Sequence, residues 1–304
     1  MTQKVVLNYE KITAFFAHLL TEKRCSRNTY LSYKTDIIQF NWYLDTQNIS
    51  LELVKEADIV SFLETLYKQG INSRSVARKI SAIKLLFQFC CRTYAITNVA
   101  THLLFPKIEH KLPRYLSEDE IQSLLKQASA DQSLLGVRNK IMIYVLYVSG
   151  MRISELVQLK KQDLFFDNQA ISVYGKGGKQ RMIPIPDLVI QAIKKYLENE
   201  YLFLTRNIET PYLFPVRYKN VLKPLSRQAF WILLKTICKQ AGIDKVVSPH
   251  QLRHSFATHM LKRGADLRSL QILLGHETIS TVQIYTHVEK SHLRDVYDKK
   301  HPRS

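Results

Sequence analysis

Ser248-Pro249-His250-Gln251-Leu252-Arg253 is the stretch of this chain that best predicts both a structural element and a chemistry. Ser followed by Pro is typical of an N-cap and the first position of a helix, so His250 falls in the first turn and Arg253 about one turn later. The free N–H groups and the dipole of a helix N-terminus attract anions. An imidazole and a guanidinium at such an end predict a phosphate site, although this spacing alone is more often found on an amphipathic surface helix.

Three further motifs extend the predicted site. In chain order they are Gly150-Met151-Arg152-Ile153-Ser154-Glu155, Leu274-Gly275-His276 and Tyr285-Thr286-His287. Two arginines can hold phosphate oxygens, two histidines can handle protons and hydrogen bonds, and a phenol oxygen can act as a nucleophile. The combination predicts attack on a phosphodiester. Tyr285 is one of 16 tyrosines, and its position nine residues beyond His276 is what distinguishes it.

Arg152 follows Gly150 at the end of an apolar segment, which predicts that it lies at the start of the next helix. Glu155 then lies one turn further on and can orient the guanidinium of Arg152 or a neighbouring histidine. The alternative is an ordinary ion pair on a helix, which contributes little.

A β-hairpin is predicted between these motifs, with strands at 170–174 and 181–185 around a glycine-rich turn. Lys176 in that turn can reach a leaving oxygen and protonate it, or it can be an ordinary solvated turn lysine. The turn is not a P-loop, because GxxxxGK[ST] is missing and the context is strand–turn–strand. Lys179 and Arg181 are expected to contact backbone phosphates.

A metal site is not expected. His250 and His254 have the i, i+4 spacing of two ligands on one helix face, but HExxH is absent and no third ligand is evident.

Composition indicates a globular protein of one large or two ordinary domains: 304 residues, 46 % hydrophobic and 23 % charged. The sequence has no run of about 18 apolar residues and no secretory signal at its start, so we expect neither a membrane span nor secretion. The four cysteines form no CxxC pair, which favours reduced thiols in a cytoplasmic protein.

The charge points to a polyanionic partner. Lys and Arg number 44 against 26 acidic residues, a formal net charge of +18. Both parts of the chain are basic, with 14 basic against 8 acidic residues up to position 108 and 30 against 18 after it. The excess is therefore not confined to a basic tail.

Helical periodicity predicts four helices in the first hundred residues, near 9–20, 26–44, 57–69 and 73–92. The last carries a basic cluster, Arg74, Arg78 and Lys79, that can lie along DNA or form a solvated face. A basic linker follows at 101–112. From 113 to 304 we expect a second, mostly helical domain with a small antiparallel sheet, whose first helix has a capping box at Ser117 and Glu120.

Taken together, these motifs resemble the tyrosine recombinase (phage integrase) family, specifically its Xer-type site-specific recombinases, over nearly the whole chain. The resemblance rests on Ser26-Arg27-Asn28-Thr29-Tyr30, Ser149-Gly150-Met151-Arg152, Gly175-Lys176-Gly177, the run from Ser248 to His259, Leu274-Gly275-His276, Ile284-Tyr285-Thr286-His287 and His301-Pro302-Arg303.

The resemblance implies a mainly α fold in which a SAM-like core-binding domain and a catalytic domain form a C-shaped clamp around DNA. It also implies six catalytic positions: Arg152 and Arg253 hold the scissile phosphate, Lys176 protonates the leaving 5′ oxygen, His250 assists proton transfer, His276 hydrogen-bonds the phosphate, and Tyr285 forms a 3′-phosphotyrosyl bond. No cofactor is implied, since the fixed arginine charges replace the work of Mg²⁺.

The implied partners are a double-stranded recombination site, three further protomers of this or a related recombinase in a tetramer on two sites, and a cell-division DNA translocase. The implied role is the resolution of chromosome dimers. A type IB topoisomerase, a mobile-element integrase and a DNA-binding protein without catalysis remain as alternatives.

Overall fold

The computed structural model describes residues 2–107, 115–175 and 180–275. It forms two compact units, Met1–Lys111 and Leu112–Ser304. The predicted linker at 101–112 spans this division. Within the described ranges, no helix combines the length and the apolar character needed to cross a membrane.

The first unit is a four-helix arrangement with its own core. Its helices are α1 (Thr2–Thr21), α2 (Arg27–Thr46), α3 (Glu56–Lys68) and α4 (Ser73–Tyr94), which confirms the four predicted helices. The rings of Phe40 and Phe62 are centred 5.2 Å apart in this core. Side-chain caps fix two helix starts, since Ser26 and Asn72 each accept a hydrogen bond from the backbone N–H three residues later.

A buried ion pair joins α2 to α4. Asp36 is 1 % exposed and Lys79 is 6 % exposed, and the Lys79 Nζ donates to Asp36 Oδ1 over 2.8 Å. Lys79 also donates to the side chain of Gln39 over 2.6 Å. Each charge lies among the apolar positions of its helix, so each needs the other to offset the cost of leaving water.

The second unit is mostly helical. Its helices are α5 (Glu118–Ala128), α6 (Leu134–Ser149), α7 (Ile153–Gln158), α8 (Asp187–Glu198), α9 (Glu200–Thr205), α10 (Arg227–Gln240), α11 (Pro249–Lys262) and α12 (Leu267–Leu274). The capping box at Ser117 and Glu120 is present, and the mainly helical fold class is confirmed. Helix α9 was not predicted. The sequence also predicts a helix at 278–285, and that segment lies outside the described residues.

The sheets of this unit are small and antiparallel. Strands β1 (Leu164–Phe165), β2 (Ala170–Tyr174) and β3 (Gln180–Pro184) lie in that order in one sheet, which confirms the predicted strand pair. Strands β4 (Pro215–Tyr218) and β5 (Val221–Pro224) form a second sheet that was not predicted. In the first sheet Arg181 pairs with Val173 and Ile183 with Ile171, and all four side chains are buried.

Gly150 ends α6 in a conformation that only glycine adopts easily. Its φ is +58°, and its N–H bonds back to the carbonyl of Leu146. The backbone there passes directly over Phe256 on α11: a Cβ at position 150 would lie 2.4 Å from the Phe256 ring. The turn that carries the chain into α7 therefore depends on both the left-handed φ and the missing side chain.

We predict that Gly150→Ala lowers the free energy of unfolding by about 3 kcal/mol, because left-handed strain and a clash in the core add together. Urea unfolding followed by circular dichroism measures the change. Gly242→Ala is the matched control, since Gly242 has a φ of +72° but nothing within 4 Å of an added Cβ; it should cost about 1 kcal/mol. Equal losses in the two variants would contradict the contact with Phe256.

Candidate active site

Helix α11 begins as predicted and presents His250 and Arg253 very differently. Ser248 is the N-cap, its hydroxyl accepts from the N–H of Gln251, and Pro249 is the first helical residue. His250 is exposed in the first turn. Arg253 is only 6 % exposed, and its Nη1 donates to the carbonyl of Gly150 over 2.8 Å. The imidazole is thus available at the surface, whereas the guanidinium is set into the protein.

Arg152 is the N-cap of α7, which confirms its predicted place at a helix start. The carboxylate of Glu155, one turn later, accepts from the Arg152 backbone N–H over 2.7 Å and from its Nη1 over 3.1 Å. The Arg152 side chain remains 40 % exposed, against 6 % for that of Glu155. Glu155 therefore orients a guanidinium that still reaches solvent, which is one of the roles that the sequence left open for it.

The C-terminal end of α12 brings three arginines together. Its last carbonyls accept hydrogen bonds in sequence: Leu273 from Arg181 Nε over 2.9 Å, Leu274 from Arg253 Nη2 over 2.6 Å, and Gly275 from Arg152 Nη2 over 3.4 Å. A helix C-terminus carries unpaired carbonyls and partial negative charge, so it suits cations. Arg152 and Arg253 come from different elements and meet at this end, immediately before His276 in the sequence.

The electrostatics of this cluster depend on three arginines and one carboxylate. Burial, together with the charges of Arg152 and Arg181, lowers the pKa of Arg253 to about 10, which leaves it charged at neutral pH. Burial works against ionisation of Glu155, but hydrogen bonds and charge from Arg181 and hydrogen bonds from Arg152 outweigh it and lower the pKa of its carboxyl. Three cations and one carboxylate give the cluster a net positive charge, which favours an anion.

Two of the predicted DNA-contacting residues have other partners in the structure. Arg181 is 6 % exposed, with Nη2 2.7 Å from Glu155 Oε2 and Nε on the Leu273 carbonyl. Lys79 is equally buried and is bound to Asp36. The phosphate contact expected of Arg181 needs correction, and Lys79 belongs neither to a DNA-facing nor to a solvated face. The nitrogens at the ends of both side chains are bonded to partners inside the protein. Exposed basic groups do remain on α4, at Arg74 and at Arg78, whose side chain is 41 % exposed.

The remaining predicted site residues lie outside the described residues. These are Lys176, Lys179, His276 and Tyr285. In residues 2–107, 115–175 and 180–275, no three His, Cys, Asp or Glu side chains are grouped so that they can hold a metal ion.

The chain matches the Phage integrase family over residues 114–292 and the N-terminal SAM-like domain of phage integrases over residues 12–93. It therefore belongs to the tyrosine recombinase (phage integrase) family, whose members cut and rejoin DNA, and the resemblance seen in the sequence is confirmed.

Among the relatives, the chain is similar to tyrosine recombinase XerD of Staphylococcus saprophyticus, with 39 % identity over 96 % of this chain and 99 % of that protein. It is 41 % identical to tyrosine recombinase XerD of Rickettsia prowazekii, over 94 % of each chain. A similar solved structure is the XerH site-specific recombinase bound to palindromic difH substrate in a post-cleavage complex. It has a TM-score of 0.69 and 25 % identity, and the match covers 88 % of this chain and 78 % of that one.

We predict that Glu155→Gln lowers the free energy of unfolding by about 3 kcal/mol at neutral pH, because two arginines lose their buried counter-charge. The pKa of Glu155 is lower in the folded than in the unfolded state, so the carboxylate's stabilisation is complete above the unfolded pKa near 4.5. It is lost as the pH falls from there through the folded pKa. The difference between variant and wild type should therefore shrink below pH 4.5 in chemical unfolding experiments.

Glu118→Gln is the matched control for this prediction. Glu118 also accepts from an arginine, Arg263, over 2.7 Å, but both side chains are 38 % exposed. An exposed pair contributes about 1 kcal/mol or less. If Glu155→Gln costs no more than Glu118→Gln, the carboxylate of Glu155 does not hold this cluster.

Proposed function

We propose that the chain is a site-specific recombinase that cuts one DNA strand through Tyr285, holds it as a 3′-phosphotyrosyl ester, and rejoins it to a second strand. The observation that carries this proposal is the meeting of Arg152 and Arg253 at the end of α12. Two fixed guanidiniums there can stabilise the negative charge that a phosphodiester gains as it is attacked. Because the phosphotyrosyl ester replaces the broken bond, rejoining needs no external energy source.

The remaining roles are assigned by position in the family motifs. Lys176 protonates the leaving 5′ oxygen, His250 assists proton transfer, and His276 hydrogen-bonds the phosphate. The exposure of His250 at the start of α11 supports its assignment, because the imidazole is open to a bound substrate. His276 directly follows Gly275, whose carbonyl faces Arg152, which supports a place beside the phosphate.

The cellular role proposed here is the resolution of chromosome dimers in the cytoplasm. Two features support it: the similarity to XerD recombinases over nearly the full chain, and the XerH structure that holds its difH substrate after cleavage. On this basis the chain binds duplex DNA, four protomers act on two sites, and a DNA translocase at cell division controls the reaction. Arg74 and Arg78 on α4 are the described residues assigned to the DNA backbone in the first unit.

The first prediction from this proposal concerns Tyr285→Phe, which should abolish covalent attachment to DNA and leave binding within about twofold, because only the nucleophilic oxygen is removed. The substrate is a nicked duplex carrying candidate dimer-resolution sites, incubated without metal and resolved on a denaturing gel. Tyr218→Phe is the control, since Tyr218 is a 59 % exposed tyrosine on β4.

Each outcome of this experiment is informative. An adduct that forms with wild type and Tyr218→Phe but not with Tyr285→Phe supports the proposal. An adduct that persists in Tyr285→Phe identifies another nucleophile. Relaxation of supercoiled DNA without any preferred site would instead indicate a topoisomerase.

The second prediction separates a DNA contact from a structural charge on the same helix. Arg74→Met should weaken DNA binding and reduce the slope of log K against log salt by about 0.9, the effect of one lost phosphate contact. Lys79→Met should leave that slope unchanged and lower the free energy of unfolding by about 3 kcal/mol, because Asp36 stays buried without its lysine. Fluorescence anisotropy over a salt series and urea unfolding measure the two effects. The reverse pattern would return Lys79 to the DNA interface.

A further inference from the structure

Arg181 is a buried arginine whose described side-chain hydrogen bonds go to Glu155 and to the end of α12. It extends from β3 on the buried face of the sheet, opposite Val173, and is 6 % exposed. Its Nη1 and Nη2 donate to the two oxygens of Glu155 over 3.1 and 2.7 Å, and its Nε donates to the carbonyl of Leu273 over 2.9 Å. One planar group thus links β3, α7 and the end of α12.

The carboxylate of Glu155 is shared between two arginines in a fixed pattern. Oε1 accepts from Arg152 Nη1 and Arg181 Nη1, and Oε2 accepts from the Arg152 backbone N–H and Arg181 Nη2. A forked pair of hydrogen bonds fixes both the position and the plane of a carboxylate. Arg181 therefore determines where Glu155 holds Arg152, and it takes up part of a negative charge that would otherwise draw Arg152 away from an anionic substrate.

Arg181 also supports the turn that leads to His276. Gly275 ends α12 with a φ of +65°, and a Cβ added there would lie 3.1 Å from Arg181 Nη1 and 3.3 Å from its Cδ. The guanidinium packs directly beneath this turn. Its bond to Leu273 lies next to the bond from Arg253 to Leu274, so a shift of Arg181 moves the carbonyl beside the one that orients Arg253.

We propose that Arg181 is a positioning residue for cleavage: through Glu155 and the end of α12 it sets the geometry of Arg152 and Arg253 without contacting DNA. This inference rests on the proposed function and adds to it a residue outside the six motif positions. It also replaces the direct phosphate contact expected from the sequence. Burying a third cation costs free energy, and the hydrogen bonds to Glu155 and to the Leu273 carbonyl offset that cost.

The test compares Arg181→Met and Arg181→Lys with wild type on the nicked duplex that yields the adduct. We expect the single-turnover cleavage rate to fall about 10- to 100-fold in Arg181→Met, by analogy with the loss of a hydrogen-bonding partner behind a metal ligand. Arg181→Lys, which keeps the charge but loses the fork, should lie between. DNA affinity should stay within about twofold, and the salt slope should not change.

Arg138→Met is the matched control for the loss of a buried arginine. Arg138 is also 6 % exposed and donates from Nη1 to the Pro215 carbonyl over 3.2 Å, while its other described bonds go to Asn139. The melting temperature first shows that Arg138→Met is folded, and the variant should then cleave at the wild-type rate. If Arg181→Met does not fold, two other variants replace it in the comparison. They are Arg181→Lys and the double variant Glu155→Gln/Arg181→Met, which removes both buried charges.

A double-mutant cycle with Glu155→Gln tests the route of the effect. If Arg181 acts through Glu155, the double variant should be no slower than the slower single variant. If the two substitutions together slow cleavage by the product of their separate factors, Arg181 does not act through Glu155. Wild-type cleavage in Arg181→Met, or a salt slope reduced by about 0.9 as for a lost phosphate contact, would overturn the whole inference.

The proposed function is judged separately, by whether the wild-type adduct requires Tyr285. Should no duplex yield an adduct, inorganic sulfate provides a readout without chemistry, as the rise in melting temperature that anion binding causes. That rise should be smaller in Arg181→Met than in Arg138→Met. Equal rises would count against positioning of the arginine pair.

Discussion

The second unit depends on one electrostatic arrangement, in which a buried carboxylate and the end of a helix hold three arginines. Like charges brought together out of water repel, and nothing in the packing of apolar side chains offsets that cost. Glu155 supplies the one full negative charge among the described groups that contact them. The carbonyls of Leu273, Leu274 and Gly275 supply partial charge. The rest of the unit brings the elements that carry these arginines, β3, α7 and α11, to the end of α12.

The first unit also buries charged side chains, and it pairs one lysine with one aspartate to do so. Asp36 and Lys79 satisfy each other across α2 and α4, and Arg78 Nη1 stands 3.3 Å from the second oxygen of Asp36. In both units a basic group that looks available in the sequence is used inside the fold. A count of basic residues therefore overstates how many are free to meet a polyanion, and burial decides which ones are.

Helical periodicity and capping residues predicted the long helices well, because a wide apolar stripe and a side-chain N-cap are local properties of the sequence. Helices α7 and α9, with six residues each, are too short for a stripe to be visible. The start of α7 was predicted from Arg152 alone, because that residue follows Gly150 at the end of an apolar segment. The β4–β5 hairpin turns at Lys219 and Asn220, which both have positive φ. Lys-Asn is not one of the dipeptides, such as Asn-Gly, that mark a two-residue hairpin turn, so the sequence contains no clear signal for it.

Of the candidate site, Arg152, Glu155 and the start of α11 could be placed from sequence, since caps and one-turn spacings are local. The basic side chain of Arg181 suggested a surface position. Its spacing to Ile183 and Ile185, which share one face of the predicted strand, would have assigned it to the core. Lys79 likewise falls between Val76 and Ile83 on the apolar stripe of α4. What no local rule provides is that a strand, a helix start and a helix end converge on a single carboxylate.

The bonds from Arg152 and Arg253 to the end of α12 have a thermodynamic consequence. A phosphate that draws these guanidiniums toward itself competes with the Gly275 and Leu274 carbonyls for them, so the two equilibria are linked. Linkage is reciprocal: if binding an anion loosens the end of the helix, then tension or docking applied to the chain beyond Gly275 changes the affinity for the anion by the same factor. The chain beyond Gly275 carries His276 and Tyr285. The helix end is therefore a point at which events along the C-terminal segment and occupancy of the proposed phosphate site are coupled in free energy, in addition to any direct contact that His276 and Tyr285 make.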